Sequence, residues 1–325
     1  MKVNINKKRE IKLFSLKELA IIIPTKNRPK ELNRLLDSII KQETEIGKVI
    51  IVFSGEDINF IVEKYKKSIP IISLCSKPGQ IHQRNKGISL LDDKIKLVAC
   101  IDDDLVFKRN AFLEMMKFWN ETHPETAGVG FNIINLNKPK SFLLMNYLKI
   151  KSDVPGKILK NGSNTWITNI DSDIKTEWLN GGATVWKKTI LKKYKNKEIK
   201  SEWACFEDVI FSYPLSKKYS MYVCADAKVV VDEFDNRNEK PKKLIMRGKN
   251  TLLWHYYFVK KNFNLSEYSF VIFYLFRIIK LIFNLLFLFE FSNIFTLFGF
   301  SKGIILILYA KIKKIEFTKI LESNF

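Results

Sequence analysis

A chain of 325 residues with a formal net charge of +21 and 46% hydrophobic residues can fill a large domain and still carry an appendage. The excess of Lys and Arg fits anionic partners such as nucleotide diphosphates or acidic lipid, or a lysine-rich composition overall; no RNA-binding or zinc-finger motif speaks for nucleic acid. Cys75, Cys100, Cys205 and Cys224 make no C-x-x-C pair, which argues against a zinc site and for buried thiols in a reducing compartment. Charges scattered through "MKVNINKKREIKLFSLKE" do not read as a secretory signal, so the expected location is the cytoplasm.

In chain order, Leu19–Ile23 is a continuous apolar run, the pattern of a strand buried on both faces. "PTKNRP" breaks it, and "KELNRLLDSIIKQ" follows with a helical stripe at Leu32, Leu35, Leu36, Ile39 and Ile40. "KVIIVFS" predicts a strand, "EDINFIVEKYKKS" a helix, "IPIISLC" a strand and "PGQIHQRNKGISLLDD" a loop becoming a helix. "KLVACI" is a fourth strand and "RNAFLEMMKFWNETH" a helix. Alternating strands and helices predict an α/β fold with a mostly parallel sheet flanked by helices, whose ligands bind beyond the carboxyl ends of the strands. Further on, "VGFNIINL" reads as a strand, "EWLNGGATVWKKTILKKY" as a strand or loop with a Gly pair and then a helix, "EDVIFSYPLSKKY" as a helix, and "SMYVCADAKVVVDEFD" as two short strands.

The composition shifts between Tyr268 and Ala310, which is rich in Phe, Leu and Ile. Arg277, Lys280 and Glu290 interrupt the run, and Arg277, Lys280 and Asn284 share one helical face. A narrow polar stripe on an apolar helix, followed by "KIKK", suits an anionic membrane surface; packing against the catalytic domain or a partner subunit is the other reading, and a tilted or re-entrant span stays open. The domain reading is an N-terminal extension over 1–17, a catalytic domain over 18–235, a basic closing segment over 236–262 and a membrane-associating helical region over 263–325.

"KLVACIDDDLVFKRN" ends a buried strand in Asp102, Asp103 and Asp104. Strand alternation points Asp102 and Asp104 one way and Asp103 the other. Two carboxylates converging there suit a hard divalent cation, Mn²⁺ or Mg²⁺, that takes phosphate oxygens as further ligands. In "CFEDVIF", Glu207 and Asp208 are candidates for a general base, or simply acids at a helix N-terminus. The basic stretch Arg237, Lys242, Lys243, Arg247 and Lys249 reads as a mobile segment closing over a diphosphate, or as a solvated charge run.

In order, "LAIIIPTKNRPKELNRLLDSIIKQ", "GQIHQRNKGI", "IDDDLVF", "WLNGGATVWKKTIL" and "FEDVIFSYPL" resemble glycosyltransferase family 2, inverting enzymes of the GT-A fold, over residues 18–260. The resemblance implies a nucleotide pocket at Pro24, Thr25, Asn27 and Arg28, with Arg84 and Asn85 near the donor. It implies Asp102 on the ribose or metal with Asp103 beside it on the donor side, and Asp104 on the metal. Asp208 would be the base, with Glu207 beside it. Gly181 and Gly182 would let backbone approach the acceptor sugar, and Trp178 would offer it a ring face unless it is a core Trp. Two departures stand out. Phe53 occupies the place of the family's base-binding Asp, leaving Ser54 or Asp57 as substitutes, and Asp232 or Glu233 stands in for a metal-binding His. The reading is transfer of a sugar from a UDP- or dTDP-type donor to a hydroxyl of a lipid-linked or growing surface polysaccharide, at the inner face of a bacterial plasma membrane. The rivals are a nucleotidyltransferase acting on sugar phosphates, for which "PTKNRP" lacks a Gly-rich loop, and a non-catalytic basic membrane-binding protein.

Overall fold

A computed structural model describes residues 13–42, 44–136, 152–200, 205–232 and 240–322. Arg237 and Glu233 lie outside the described residues. Strand β1 (Leu19–Lys26) is central because its apolar run fills two cores at once. Leu19, Ile21 and Ile23 point to one face of the sheet, and Ala20 and Ile22 to the other. Strands β2 (Lys48–Ser54) and β4 (Leu97–Ile101) flank β1 in parallel, and β3 (Ile71–Cys75) adds outside β2. Helices α1 (Pro29–Ile40), α2 (Asn59–Tyr65) and α3 (Gln80–Ser89) make the crossovers, so the loops after β1, β2, β3 and β4 gather along one edge. Pro29 opens α1, where a missing backbone N–H costs nothing, and Leu32, Leu35, Leu36 and Ile39 form its buried stripe.

Beyond β4 the sheet is mixed. Only Asp102–Asp104 separate β4 from β5 (Leu105–Phe107), too short for a crossover, so β5 turns away and pairs antiparallel with β9 (Ser220–Val231). Helix α4 (Ala111–Glu121) leads to β6 (Thr126–Ile133); β7 (Ile174–Lys175), β8 (Ala183–Lys187), α5 (Lys188–Lys193) and α6 (Glu207–Ser216) follow. Strand β8 lies antiparallel between β4 and β6, giving the order β3-β2-β1-β4-β8-β6-β9-β5, with β7 beside β9. The two short strands expected from "SMYVCADAKVVV" are one strand, β9. The break survives as a register shift where Phe131 faces Cys224 but Asn132 faces Lys228. The Asn132 amide fills that irregularity by donating to the carbonyls of Ile170 and Ala225, both at 2.9 Å.

The expected closing segment is mostly regular structure: α7 (Pro241–Lys261) is a 21-residue helix whose Leu252–Val259 stretch is buried. Helices α8 (Glu267–Phe287), α9 (Asn293–Ile312) and α10 (Phe317–Glu322) complete the chain. Arg277, Lys280 and Glu290 interrupt the apolar sequence of this region. As folded, α8 and α9 are each long and apolar enough to cross a membrane, because the charges fall thinly in each helix. They are candidate membrane-associating segments.

Ile22 is fully buried against Gly87 of α3, where an added Cβ would collide with it. We expect Ile22→Ala to lower stability by about 2–5 kcal/mol in urea unfolding, with the denaturant slope unchanged.

Candidate active site

The acidic triplet starts where β4 ends. Asp102 N–H donates to the Gly182 carbonyl at 2.8 Å, and the chain then turns, so strand alternation stops at Ile101. In consequence Asp103 does not face away, as the alternation predicted. All three carboxylates line one cleft of about 510 Å³ with Pro24, Thr25, Arg28, Gln80 and Gln83. Asp103 is buried there; Thr25 Oγ1 donates to one of its oxygens and Arg28 Nη1 to the other, both at 2.6 Å. Arg28 also reaches Asp104 at 3.2 Å. Burial, opposed by Thr25 and Arg28, pushes the Asp103 carboxyl up to about 6. Burial and the charge of Asp102 raise Asp104 as well.

Crowded, partly desolvated carboxylates are hard oxygen donors that a divalent cation would relieve. Asp102 and Asp104 fit such an ion if a diphosphate supplies further ligands. Among the described residues no group of three or more acidic, His or Cys side chains is arranged to hold a metal alone. Asp232, the expected third ligand, sits beside Asp104 with its side chain engaged elsewhere. Its N–H donates to the Asp104 carbonyl at 2.8 Å, but its carboxylate pairs with Arg34.

Arg84 ties this cleft to the second half of the site. On α3 it is 7% exposed; Nη2 donates to Asp102 at 2.6 Å and Nη1 to Glu207 at 3.0 Å. Gln80, one turn earlier on the same helix face, donates to Asp102 at 2.7 Å. Gln83 donates to the carbonyls of Thr25 and Val52, pinning the ends of β1 and β2. Neither glutamine was singled out from the sequence; for Gln80 the i, i+4 spacing from Arg84 was the available signal, and for Gln83 there was none.

Phe206 takes a left-handed conformation, φ 62°, just before α6, a costly geometry for an aromatic residue that sets Glu207 and Asp208 on the first turn. Burial, opposed by Arg84, pushes Glu207 up to about 7. Asp208 is raised above its ordinary value by burial, against hydrogen bonds from the N–H groups of Val209 and Gly181. Asp208, Gly181, Gly182, Asp102, Arg84 and Phe206 share a second, smaller cavity. The Gly pair makes room for side chains: a Cβ on Gly182 would overlap the Asp102 carboxylate, and one on Gly181 would sit 3.0 Å from Arg84.

Other expected site residues turn elsewhere. Asn85, the next residue round α3, donates to Asn196 and Glu198 at 3.1 and 2.9 Å, away from the donor cleft. Trp178 is buried, with its indole N–H on the Thr165 carbonyl; it is a core Trp and offers no open ring face. Asn27, at φ 54°, accepts from Glu56 N–H at 2.9 Å and so staples the loops after β1 and β2. Asp57 accepts from Asn59 N–H at 3.0 Å at the start of α2, while the Ser54 hydroxyl is buried without a protein partner among the described residues. Arg247, on α7, acts on Cys205, which also feels Asp208 and Glu207; this sets it on the flank of the site as part of a helix.

Two outcomes test this geometry. Arg84→Met should cost about 3–5 kcal/mol in urea unfolding, because it leaves the buried Glu207 without its cation and Asp102 with Gln80 alone, and adding Glu207→Gln should recover part of that loss. If Asp104 takes a cation, Mn²⁺ should raise the thermal midpoint more at pH 7.5 than at pH 5. Protonation of Asp103 and Asp104, both shifted upward, removes the charge the ion needs as pH falls through their raised pKa values. Asp104→Asn should abolish the shift.

No curated protein sequence matches the chain. The family profile described as glycosyl transferase family 2 matches residues 20–175. Among solved structures, S. aureus TarS residues 1–349 aligns at 16% identity and TM-score 0.51, covering 94% of this chain and 90% of that one. The mannosyltransferase PcManGT from Pyrobaculum calidifontis, in complex with GDP-Man and Mn²⁺, aligns at 12% identity and TM-score 0.52, covering 95% and 85%. The chain spans 43% of the length of the longer S. aureus TarS structure. The matched profile covers β1 through β7, the strands that build the donor edge, and the fold extends the likeness over nearly all of the chain: this protein carries a glycosyl transferase family 2 domain over residues 20–175, on a fold like that of the GT-A glycosyltransferases.

Proposed function

We propose that the protein moves a sugar, with inversion, from a UDP- or dTDP-type nucleotide sugar to a hydroxyl of a lipid-linked or growing surface polysaccharide. The observation that carries this reading is the single buried guanidinium of Arg84, which joins the acidic cleft to the helix turn bearing Asp208. The nucleotide lies along Pro24, Thr25 and Arg28, and Ser54 offers a buried hydroxyl where the family's base-binding Asp is replaced. A divalent cation, Mn²⁺ or Mg²⁺, held by Asp102 and Asp104 would offset the charge of the departing diphosphate. The complex of the Pyrobaculum protein with GDP-Man and Mn²⁺ is consistent with that donor class and ion.

The acceptor hydroxyl enters on the Gly181–Gly182 side, where Asp208 accepts its proton as the oxygen attacks the anomeric carbon from the face opposite the diphosphate. Arg84 positions the Asp102 and Glu207 carboxylates. Arg247 adds positive charge at the rim. The two apolar C-terminal helices favour a station at the inner face of a bacterial plasma membrane, where a lipid-linked acceptor would be found. A nucleotidyltransferase is disfavoured by the turn after β1, where "PTKNRP" is not a Gly-rich phosphate loop and the Asn27 side chain is engaged by Glu56 N–H of the β2 loop.

The test is diphosphate release from a panel of nucleotide sugars with Mn²⁺ or Mg²⁺ and a crude lipid acceptor. We expect Asp208→Asn to lower kcat/KM by about 10²–10⁴. A base works deprotonated, so wild-type kcat/KM should rise with pH and level off above the raised pKa of Asp208, and that acid limb should vanish in Asp208→Asn. Persistence of the limb in Asp208→Asn with its loss in Glu207→Gln would move the base to Glu207. No cation-dependent release from any donor would sink the enzymatic reading.

A further inference from the structure

Helices α8 and α9 carry the largest exposed apolar surface among the described residues. On α8, Tyr268, Val271, Leu275, Ile279, Ile282 and Leu286 follow at intervals of three and four, and each is at least 42% exposed. The stripe is about 27 Å long at 1.5 Å per residue and contains no charge. On α9, Ile294, Phe298, Ile305, Leu308 and Ile312 form a second exposed stripe. The opposite faces are in use: Phe270 and Tyr274 of α8 and Phe300 and Ile307 of α9 pack with α7 in one core. Two outward stripes of this size mark a surface that meets something other than water.

We propose that this face lies within one leaflet of an anionic bilayer, with α8 and α9 parallel to the membrane plane and neither helix crossing it. The argument against crossing is mechanical. A Cβ on Gly248 of α7 would press on the Thr296 carbonyl, and one on Gly299 of α9 would run into the Ile245 carbonyl, so the two backbones touch along this stretch. In turn α7 is fixed in the catalytic domain through Phe258, fully buried in the core that holds Val209 and Tyr213. Lys242 and Lys243 stand at one end of α7, Lys260 and Lys261 at the other. For α9 to cross, α7 would have to enter hydrocarbon with it, at about 2.5–3.5 kcal/mol for each lysine carried to the centre. Lying flat, the pair submerges only its two stripes.

Charge complementarity names the lipid. Lys280, Lys302, Lys313 and Lys314 are exposed beside the apolar faces, each adding roughly 1 kcal/mol of attraction near an anionic surface. Between Lys280 and Lys302 the one acid is Glu290, whose Oε2 accepts from the Asn284 and Asn293 amides at 3.0 and 2.9 Å. The inner face of α8 then gains a role. Phe273 and Arg277 wall a cavity of about 250 Å³ that also meets Phe206, itself a wall of the Asp208 cavity. An acceptor anchored in the leaflet would reach the base along the helix that lies in it. The inference rests on the membrane placement proposed above and not on the chemistry at Asp208.

The experiment uses the full chain and flotation with phosphatidylcholine vesicles, with and without phosphatidylglycerol. We expect flotation with the anionic vesicles. Leu275→Lys/Ile282→Lys should float at least about tenfold less with an unchanged thermal midpoint, since both side chains are exposed. For orientation, Cys75→Ser/Glu290→Cys carries a dithionite-sensitive fluorophore at the α8–α9 connection. External dithionite should bleach the whole floated population; a protected fraction means that the connection has crossed, and it overturns the in-plane reading. Absence of flotation from every vesicle overturns the membrane partner altogether, and a dimer lost in the Leu275→Lys/Ile282→Lys variant would then name a second copy of the chain as what covers the face. Asp208→Asn should float like wild type, which separates failure of this inference from failure of the catalytic one.

Discussion

One guanidinium, buried between two carboxylates from distant parts of the chain, sets the geometry on which the site depends. Arg84 comes from α3, Asp102 from the end of β4 and Glu207 from the first turn of α6. Each group alone would be costly to bury. Together they satisfy one another, although Glu207 still titrates near 7 because desolvation outweighs the arginine's attraction. Such an arrangement adds little net stability compared with an apolar core. Its value is positional: it fixes the distance between the acidic cleft at Asp102 and the turn that carries Asp208.

Local backbone devices support that link. Phe206 accepts a strained φ so that α6 starts with its two acids inward, and its ring stacks on the buried His255, centroids 4.6 Å apart. Gly182 yields the space that the Asp102 carboxylate occupies. Gln83 bridges the ends of β1 and β2, and Asn27 closes the loop beyond them. Strain is placed where the structure has most to hold in register. The C-terminal helices extend the same logic, since α7 couples the apolar outer layer to the core beneath α6 through Phe258.

Much of this was legible in the residue pattern, for definite reasons. Leu19–Ile23 reads as a two-faced strand because every residue in it is apolar, and the structure assigns alternate residues to two cores. The Asp triplet reads as a site because charge at the end of such a strand needs a purpose. The misreadings arise where geometry departs from period. Alternation was carried three residues too far, past Ile101 through the turn at Asp102–Asp104. Asn85 was grouped with Arg84 although adjacent helix residues point about 100° apart, and it faces Asn196 and Glu198. For Trp178 the core reading is the one that holds, with its indole on the Thr165 carbonyl, and the Asp232 side chain is engaged by Arg34. Long-range partners of this kind leave no local signature.

The central claim, that Arg84 makes Asp102 and Glu207 one unit, is tested most directly by a double-mutant cycle. Unfolding free energies of Asp102→Asn, Glu207→Gln and the pair would be measured with Arg84 present and again in an Arg84→Met background. The account predicts a coupling of about 0.5–3 kcal/mol between the two carboxylate substitutions when Arg84 is present, altered in size and sign when it is absent. Additive effects in both backgrounds would contradict it.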